Sequence, residues 1–512
     1  MLAKYRYLFS NSIIIILLLA LMKLLIHMFS TEYGYHRDEL LYITISDNLS
    51  FGNLSMLPLA PAILAVIRSF AGSSLKAIHF FPAFCGAFVV LLTGLMTREL
   101  GGEKRAVALA SLAAIIPMGY LGIDSLFTYD VIDKLFWVAN LYILILILKR
   151  RELRLWLLFG LVGGLGVLNK ISILFLCVAV FAAFCISPER KYIFNKWFWM
   201  GRVIVVVCLI PFLYWQHTHG WPIVSFAKYY AGSKTYQVSL LEFIWFQIFI
   251  MHPLTLPIWI SGLYFSFFSS NGRQYRVIGW IYVILFVVFA LLKAKFYFLI
   301  PVYPFLFASG AVLIDNYFRR RNWKLIPAIV FPVMIVAGII TAPVAMPLLP
   351  VETFTKVYGF LSGDAGIKQE SHEISNLPQH FADRFGWQEM AMTIASVYAD
   401  LPEDEKSKAC ILTGNYGEAG AVYFFGKKYG LPDPISGHGW HYYEGTKNNT
   451  SDVVISINIS KEYLQARFDD VTQATVFQCR YCMPYENNQP VYVSREPNRS
   501  IEEILEEIKH FD

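Results

Sequence analysis

The sequence predicts a polytopic α-helical membrane protein of about 11 transmembrane helices with a C-terminal extracytoplasmic α/β domain. Three observations lead there. Of 512 residues 56% are hydrophobic and only 16% charged, with a mean hydropathy of +0.50, where a soluble chain carries about a quarter charged residues. The apolar residues fall in runs long enough to cross a bilayer. Past Pro350 such runs stop, and strand-like and helix-like patterns alternate between Pro and Gly turns.

The first run, 11–30, follows Lys4 and Arg6 and superficially reads as a secretory signal. It is long for one, and IHMFSTEY offers no small-residue cleavage site, so an uncleaved span is expected. Ten more spans are placed at 76–97, 105–122, 131–149, 155–169, 171–187, 199–215, 240–267, 276–293, 296–315 and 325–347. Alternate loops are basic: TRELGGEKR, KRRELR, SPERKYIFNK, SSNGRQYR and NYFRRRNWK. That bias puts the N-terminus in the cytoplasm and the C-terminus outside. Lys170, Lys228, Lys234, Lys293 and Lys295 are exceptions on the outer side.

Residues 1–349 therefore read as a membrane domain, with a first outer loop at 31–75 containing interfacial helices and a second at 122–130. Residues 350–512 read as a soluble α/β domain. Its strand candidates are ACILTG, DVVISINI, ATVFQC and PVYVSR; its helix candidates are WQEMAMTIASVYADL, EAGAVYFFGKKYG and SIEEILEEIKHF. The net charge of +6 resides mostly in short loops, and no nucleic-acid surface is visible.

Cys85, Cys177, Cys185 and Cys208 lie in spans as small apolar residues, while Cys410, Cys479 and Cys482 lie in the outer domain. The CRYC pair favours a disulfide over half a zinc site. His217 and His219 form an HxH without an evident third ligand, and His252 reads as a packing or kink residue. Asn448, Asn458 and Asn498 are glycosylation sequons.

Three polar clusters need a reason near a membrane. TEYGYHRDELLYITISDNLSF, 31–51, puts His36, Arg37, Asp38 and Glu39 at the end of a span, followed by Leu40, Leu41, Ile43, Ile45 and Leu49 as in a helix lying in the interface. Asp38 reads as a catalytic base, against the plainer reading of a solvated loop. IDSLFTYDVIDKLFW brings Asp124, Asp130 and Asp133 to the second outer loop. Asp130 is either functional or a helix cap, and Asp133 would pair locally with Lys134. KAKFYFLIPVYP offers Lys293, Lys295, Tyr297 and Tyr303 for an anionic ligand such as a lipid phosphate, with Lys170 able to join them. Snorkelling lysines in an aromatic belt are the alternative.

YGYHRDELLYI, LFTYDVIDKLFW, GLGVLNKISIL and KAKFYFLIPVYP resemble recurrent stretches of the GT-C lipid-dependent glycosyltransferases. The chain is most similar to bacterial protein-mannosyltransferase and aminoarabinose-transferase-like members, of glycosyltransferase family 39/83 type, over nearly its whole length. GWQEM, GNYGEAGAVYFFGKKYGLPDPISGH and CRYCMPYENNQPVYVSR resemble the outer domain of bacterial relatives. SMLPLAP departs from their usual HPPL run, on the acceptor side.

The resemblance implies a GT-C fold and inverting transfer of a hexosyl or pentosyl group from a polyprenyl-phosphate donor. The acceptor would be a hydroxyl of a lipid, glycan or protein at the outer face of the bacterial inner membrane. Asp38 would be the base with Glu39 beside it, and Asp130 the second essential acid. Lys170, Lys293 and Lys295 would face the leaving phosphate, with His36, Arg37, Tyr297 and Tyr303 also binding substrate. No nucleotide site is expected, since GxGxxG and P-loop patterns are absent. No metal is expected to be required, because Asp38 and Asp130 alone are a thin ligand set; a shared divalent cation stays an open alternative. The rival readings are a transporter or flippase of a lipid-linked substrate, for which related halves are not visible, and a non-catalytic sugar-binding homologue.

Overall fold

The computed structural model of the chain describes residues 11–51, 54, 56–232, 238–323, 325–362, 377–446 and 452–511. Lys234 and the sequon at Asn448 lie outside the described residues.

All eleven expected spans fall on helices. Among the described residues seven helices are long and apolar enough to cross a membrane, so the count of 11 is not reached by length and composition. They are Asn11–Met28, Leu75–Glu99, Tyr129–Arg150, Lys196–Thr218, Arg273–Leu291, Phe296–Arg320 and Leu325–Ala345. An eighth is the pair Leu240–Ile250 and Pro253–Phe268, bent by 88°. Pro253 cannot continue the first helix, and His252 before it takes φ 72°. The other three stretches are short. Lys104–Ile115 stops before Pro117 and resumes only as Met118–Ile123, while Leu155–Asn169 and Ile173–Ile186 have 15 and 14 residues, against about 20 for a span.

The described residues form two compact units. The first comprises 1–31, 71–214 and 237–349. Its helices approach closely where side chains are missing. A Cβ on Gly160 would lie 2.3 Å from the Gly201 carbonyl oxygen, and one on Gly310 1.8 Å from that of Ile258. Such contacts between small residues are how helices gain packing in lipid, where no hydrophobic force separates helix from solvent. Leu17, Leu18 and Leu21 on the first helix and Val203, Val206 and Val207 on Lys196–Thr218 are exposed, as lipid-facing residues should be.

The second unit comprises 32–70, 215–236 and 350–512. Its sheet has the order β2-β1-β3-β5-β4, with β1 Ala409–Thr413, β2 Ile435–Ser436, β3 Val453–Ile457, β4 Phe468–Phe477 and β5 Gln489–Pro497. β1 pairs in parallel with β2 and β3; β5 runs antiparallel to β3 and β4. β1 and β3 are buried along their full length, which is why ACILT and VVISI carry no charge.

Residues 32–70 thus group with the C-terminal segment. The helix expected to lie in the interface is Arg37–Asp47, and it is a packed helix of the second unit. Leu40 and Ile43 are 0% exposed, and Leu40 sits against Gly420, where a Cβ would come within 2.8 Å of its own. Leu40, Ile43 and Ile45 of that segment pack within the unit, while Leu49 is exposed.

Candidate active site

In the second unit, Gly34 makes the approach turn at φ +113°, and a Cβ there would lie 2.4 Å from the Arg384 carbonyl oxygen. The following HRDE spells a helix start. His36 Nδ1 accepts the Asp38 N–H at 3.2 Å and Glu39 Oε2 accepts the His36 N–H at 2.9 Å, a reciprocal cap. Glu39 is 0% exposed. Glu39→Ala should cost this unit about 1–2 kcal/mol, the usual range for a lost cap, with Glu39→Gln costing less because it can still accept; thermal unfolding reads the difference.

Asp38 is the open member of this start, its side chain 41% exposed. Tyr416 Oη donates to Asp38 Oδ1 at 2.8 Å, and His36 Nδ1 lies 3.7 Å from Oδ2. Arg37 turns inward. Its Nη1 donates to Tyr485 Oη at 2.7 Å, and its guanidinium lies 4.4 Å from the centre of the Tyr416 ring. Tyr485 in turn donates to Asp383 Oδ1 at 3.2 Å, and His36 Nε2 is 3.9 Å from Asp383 Oδ2. Burial opposes the Arg37 charge, but Tyr416, Asp383, Tyr485 and Glu486 outweigh it and push its pKa up. His36 and Arg37, expected to bind substrate, are placed as buried supports of the loop.

Behind Tyr416, Asn415 caps the helix Tyr416–Gly426, its Oδ1 accepting the N–H groups of Gly417 and Glu418 at 2.9 and 3.1 Å. Glu418 accepts from the backbone N–H of Gly414 at 2.8 Å and from Asn458 Nδ2 at 2.7 Å, and Asn415 Nδ2 donates to Glu486 Oε1 at 2.9 Å. Burial and then the neighbouring Glu486 push Glu418 well above the ordinary carboxyl range; burial pushes Glu486 up as well, against the pull of Arg37. The folded state therefore holds protons that the unfolded chain has lost, and stability falls as pH rises above the ordinary glutamate value. Glu486→Gln keeps an oxygen for Asn415. Its melting temperature should exceed that of wild type by a margin that widens from about pH 5 to about pH 8, and a pH-independent margin would refute this.

In the first unit, Asp130 lies in the first turn of Tyr129–Arg150, but the cap position is Thr128. Asp130 instead meets Lys170 Nζ at 2.5 Å, the two side chains 22% and 16% exposed. Lys170 is also within 4.6 and 4.8 Å of the Tyr129 and Phe298 ring centres. The sequence placed Asp133 with Lys134; the structure does not. Asp133 accepts from Trp137 Nε1 at 3.1 Å and Ser172 Oγ at 2.6 Å. Lys134 reaches back to Asp124, whose other oxygen meets Lys23 at 2.9 Å. All three are at most 1% exposed.

Lys293 is exposed with φ 48°, Lys295 and Tyr297 are half-buried, and Phe298 of that turn is placed on Lys170. Tyr303 is a core residue, 0% exposed, donating to Gln247 Oε1 at 3.1 Å. Cys479 and Cys482 are free thiols, so the expected disulfide is not formed; the Cys482 N–H donates to Cys479 Sγ at 3.2 Å. Hydrogen bonding from Cys482 pulls the Cys479 thiol down to about 7. Among the described residues no three His, Cys, Asp or Glu converge as a metal site.

Tyr416, Tyr485, Asp383 and Lys23 were not singled out from sequence. GNYGEAG marked a subfamily without showing that its tyrosine reaches Asp38. Lys23 had a signal: Lys and His four residues apart inside an apolar span call for a buried counter-charge.

The chain thus combines a multi-pass helical unit with a mixed-sheet unit. Residues 56–215 match the family described as dolichyl-phosphate-mannose-protein mannosyltransferase. The structure is similar to ArnT from Cupriavidus metallidurans in the apo state, at TM-score 0.61 and 13% identity over 94% of this chain and 97% of that one. It is similar to the same protein bound to undecaprenyl phosphate at TM-score 0.62 and 13% identity, over 94% and 98%. The Archaeoglobus fulgidus oligosaccharyltransferase in complex with Zn and sulfate aligns at TM-score 0.53 and 12% identity, over 89% of this chain and 69% of that one. No curated protein matches the chain by sequence. The chain has the GT-C fold.

Proposed function

We propose that this protein is an inverting glycosyltransferase that moves a sugar from a polyprenyl-phosphate donor to an acceptor hydroxyl at the outer face of a bacterial inner membrane. The fold shared with ArnT, solved with undecaprenyl phosphate, and the mannosyltransferase-family match over 56–215 support it. The observation that carries it is Asp38: a carboxylate open to solvent at the head of Arg37–Asp47, between Arg37 and Glu39, which are both buried.

In this reading Asp38 takes the proton from the acceptor hydroxyl as its oxygen attacks the anomeric carbon. The bond from that carbon to the phosphate oxygen breaks, its electron pair leaves on the phosphate, and the centre inverts, as in single displacements at sugars. Lys170, Lys293 and Lys295 are the proposed counter-charges for a lipid phosphate, Asp130 holding Lys170. The reading calls for no required cofactor, a divalent cation being the alternative, and assay identifies the sugar and the acceptor, whether lipid, glycan or protein. The full chain in lipid vesicles, given a panel of radiolabelled polyprenyl-phosphate sugars, should release sugar from at least one donor. Saturable donor binding with no release from any would instead favour a carrier of lipid-linked substrates or a non-catalytic homologue.

A further inference from the structure

The only hydrogen bond to the Asp38 carboxylate among the described residues comes from a tyrosine 378 residues later in the chain. Tyr416 Oη holds Oδ1 at 2.8 Å, whereas His36 Nδ1 stands 3.7 Å from Oδ2, beyond hydrogen-bonding reach. Tyr416 itself is fixed from several sides. The Arg37 guanidinium covers its ring at 4.4 Å, the His438 ring meets it edge-on at 4.8 Å, and its own N–H reaches His438 Nδ1 at 3.4 Å. It is the first residue of a helix whose cap is closed reciprocally by Asn415 and Glu418. A phenol so constrained sets the rotation of a side chain that is otherwise open to solvent.

We infer that Tyr416 is a positioning residue for Asp38, holding Oδ1 so that Oδ2 is the oxygen that receives the acceptor's proton. This rests on the transferase reading above and adds to it that the C-terminal segment completes the base rather than standing apart from the chemistry. Arg37 serves the same end. It adjoins Asp38 in the chain and clamps the ring that holds Asp38, so the base and its guide move as one piece.

The test is kinetic, with the full chain in vesicles and the donor found active. Tyr416→Phe removes one oxygen and keeps the ring against Arg37 and His438, so an unchanged melting temperature certifies its fold. Its kcat should fall about 10- to 100-fold with the donor KM within about 2-fold, the pattern of lost orientation rather than lost binding. Because Tyr416 acts through Asp38, adding Tyr416→Phe to Asp38→Asn should cost nothing beyond Asp38→Asn alone. Wild-type kcat in Tyr416→Phe, or losses that multiply in the double variant, would overturn the inference while leaving Asp38 as base. Wild-type turnover by Asp38→Asn would overturn it together with the assignment of the base. An inactive wild type would sink the transferase reading and this inference with it.

Discussion

Asp38→Asn should lower sugar transfer by about 10²–10⁴-fold, the range for loss of a general base, while donor binding survives. The substitution is nearly isosteric. The Asn oxygen can still accept from Tyr416 Oη, and the side chain at this position is 41% exposed, so little stability is at stake. What disappears is a lone pair basic enough to take a hydroxyl proton. Single-turnover transfer, measured alongside donor binding on the same preparation, separates the two effects. Equal turnover in variant and wild type would remove Asp38 from the chemistry and direct attention to Asp130.

Asp124→Ala should be among the most damaging single changes outside that site. Its carboxylate bridges Lys23 and Lys134, and none of the three is more than 1% exposed. Removing the acid leaves two buried ammonium groups facing each other without a counter-charge, an arrangement that typically costs about 3–5 kcal/mol. The surroundings are shaped to the carboxylate: a Cβ on Gly86 would lie 2.5 Å from Asp124 Oδ2. Unfolding in detergent should show the loss. Replacing all three residues by apolar ones, with Lys23→Met, Asp124→Leu and Lys134→Met, should recover most of it, since a buried ion cluster is often no better than well-packed hydrocarbon. A single-variant loss below about 1 kcal/mol would show that the lysines shed their charge or reach water.

The sequence made the membrane unit and the α/β sheet legible because both rest on local periodicity. Long apolar runs became helices, ACILT, VVISI and PVYVSR became strands where their patterns placed them, and ATVF became the end of a strand that begins earlier, at Phe468. Span counting from sequence exceeds the number of long apolar helices among the described residues where local signals compete. Pro117 divides one apolar stretch, Pro253 bends another, and the Gly-rich LWLLFGLVGGLGVLN is helical but short. Asp38 and Asp130 drew notice as charges beside spans. Tyr416 did not, and Lys170 was noticed as a cation for a phosphate rather than as the partner of Asp130, because both contacts depend on chain segments brought together only by the fold. Glu39 shows the limit of adjacency: next to Asp38 in sequence, it faces the opposite way and closes the helix cap.

The two short helices flanking Lys170 have a consequence for the lipid around them. At 1.5 Å per residue, Leu155–Asn169 with 15 residues and Ile173–Ile186 with 14 extend only about 21–22 Å, whereas the hydrocarbon layer is about 30 Å thick. Tilting would only shorten their reach. If these helices cross the bilayer, the mismatch would be met by thinning of the bilayer beside them or by sinking of the Asp130–Lys170 pair beneath the headgroups. On the proposed role of Lys170, both would bring phosphate depth and lysine depth closer together, making the acyl-chain length of the host membrane a determinant of how readily a lipid phosphate meets it.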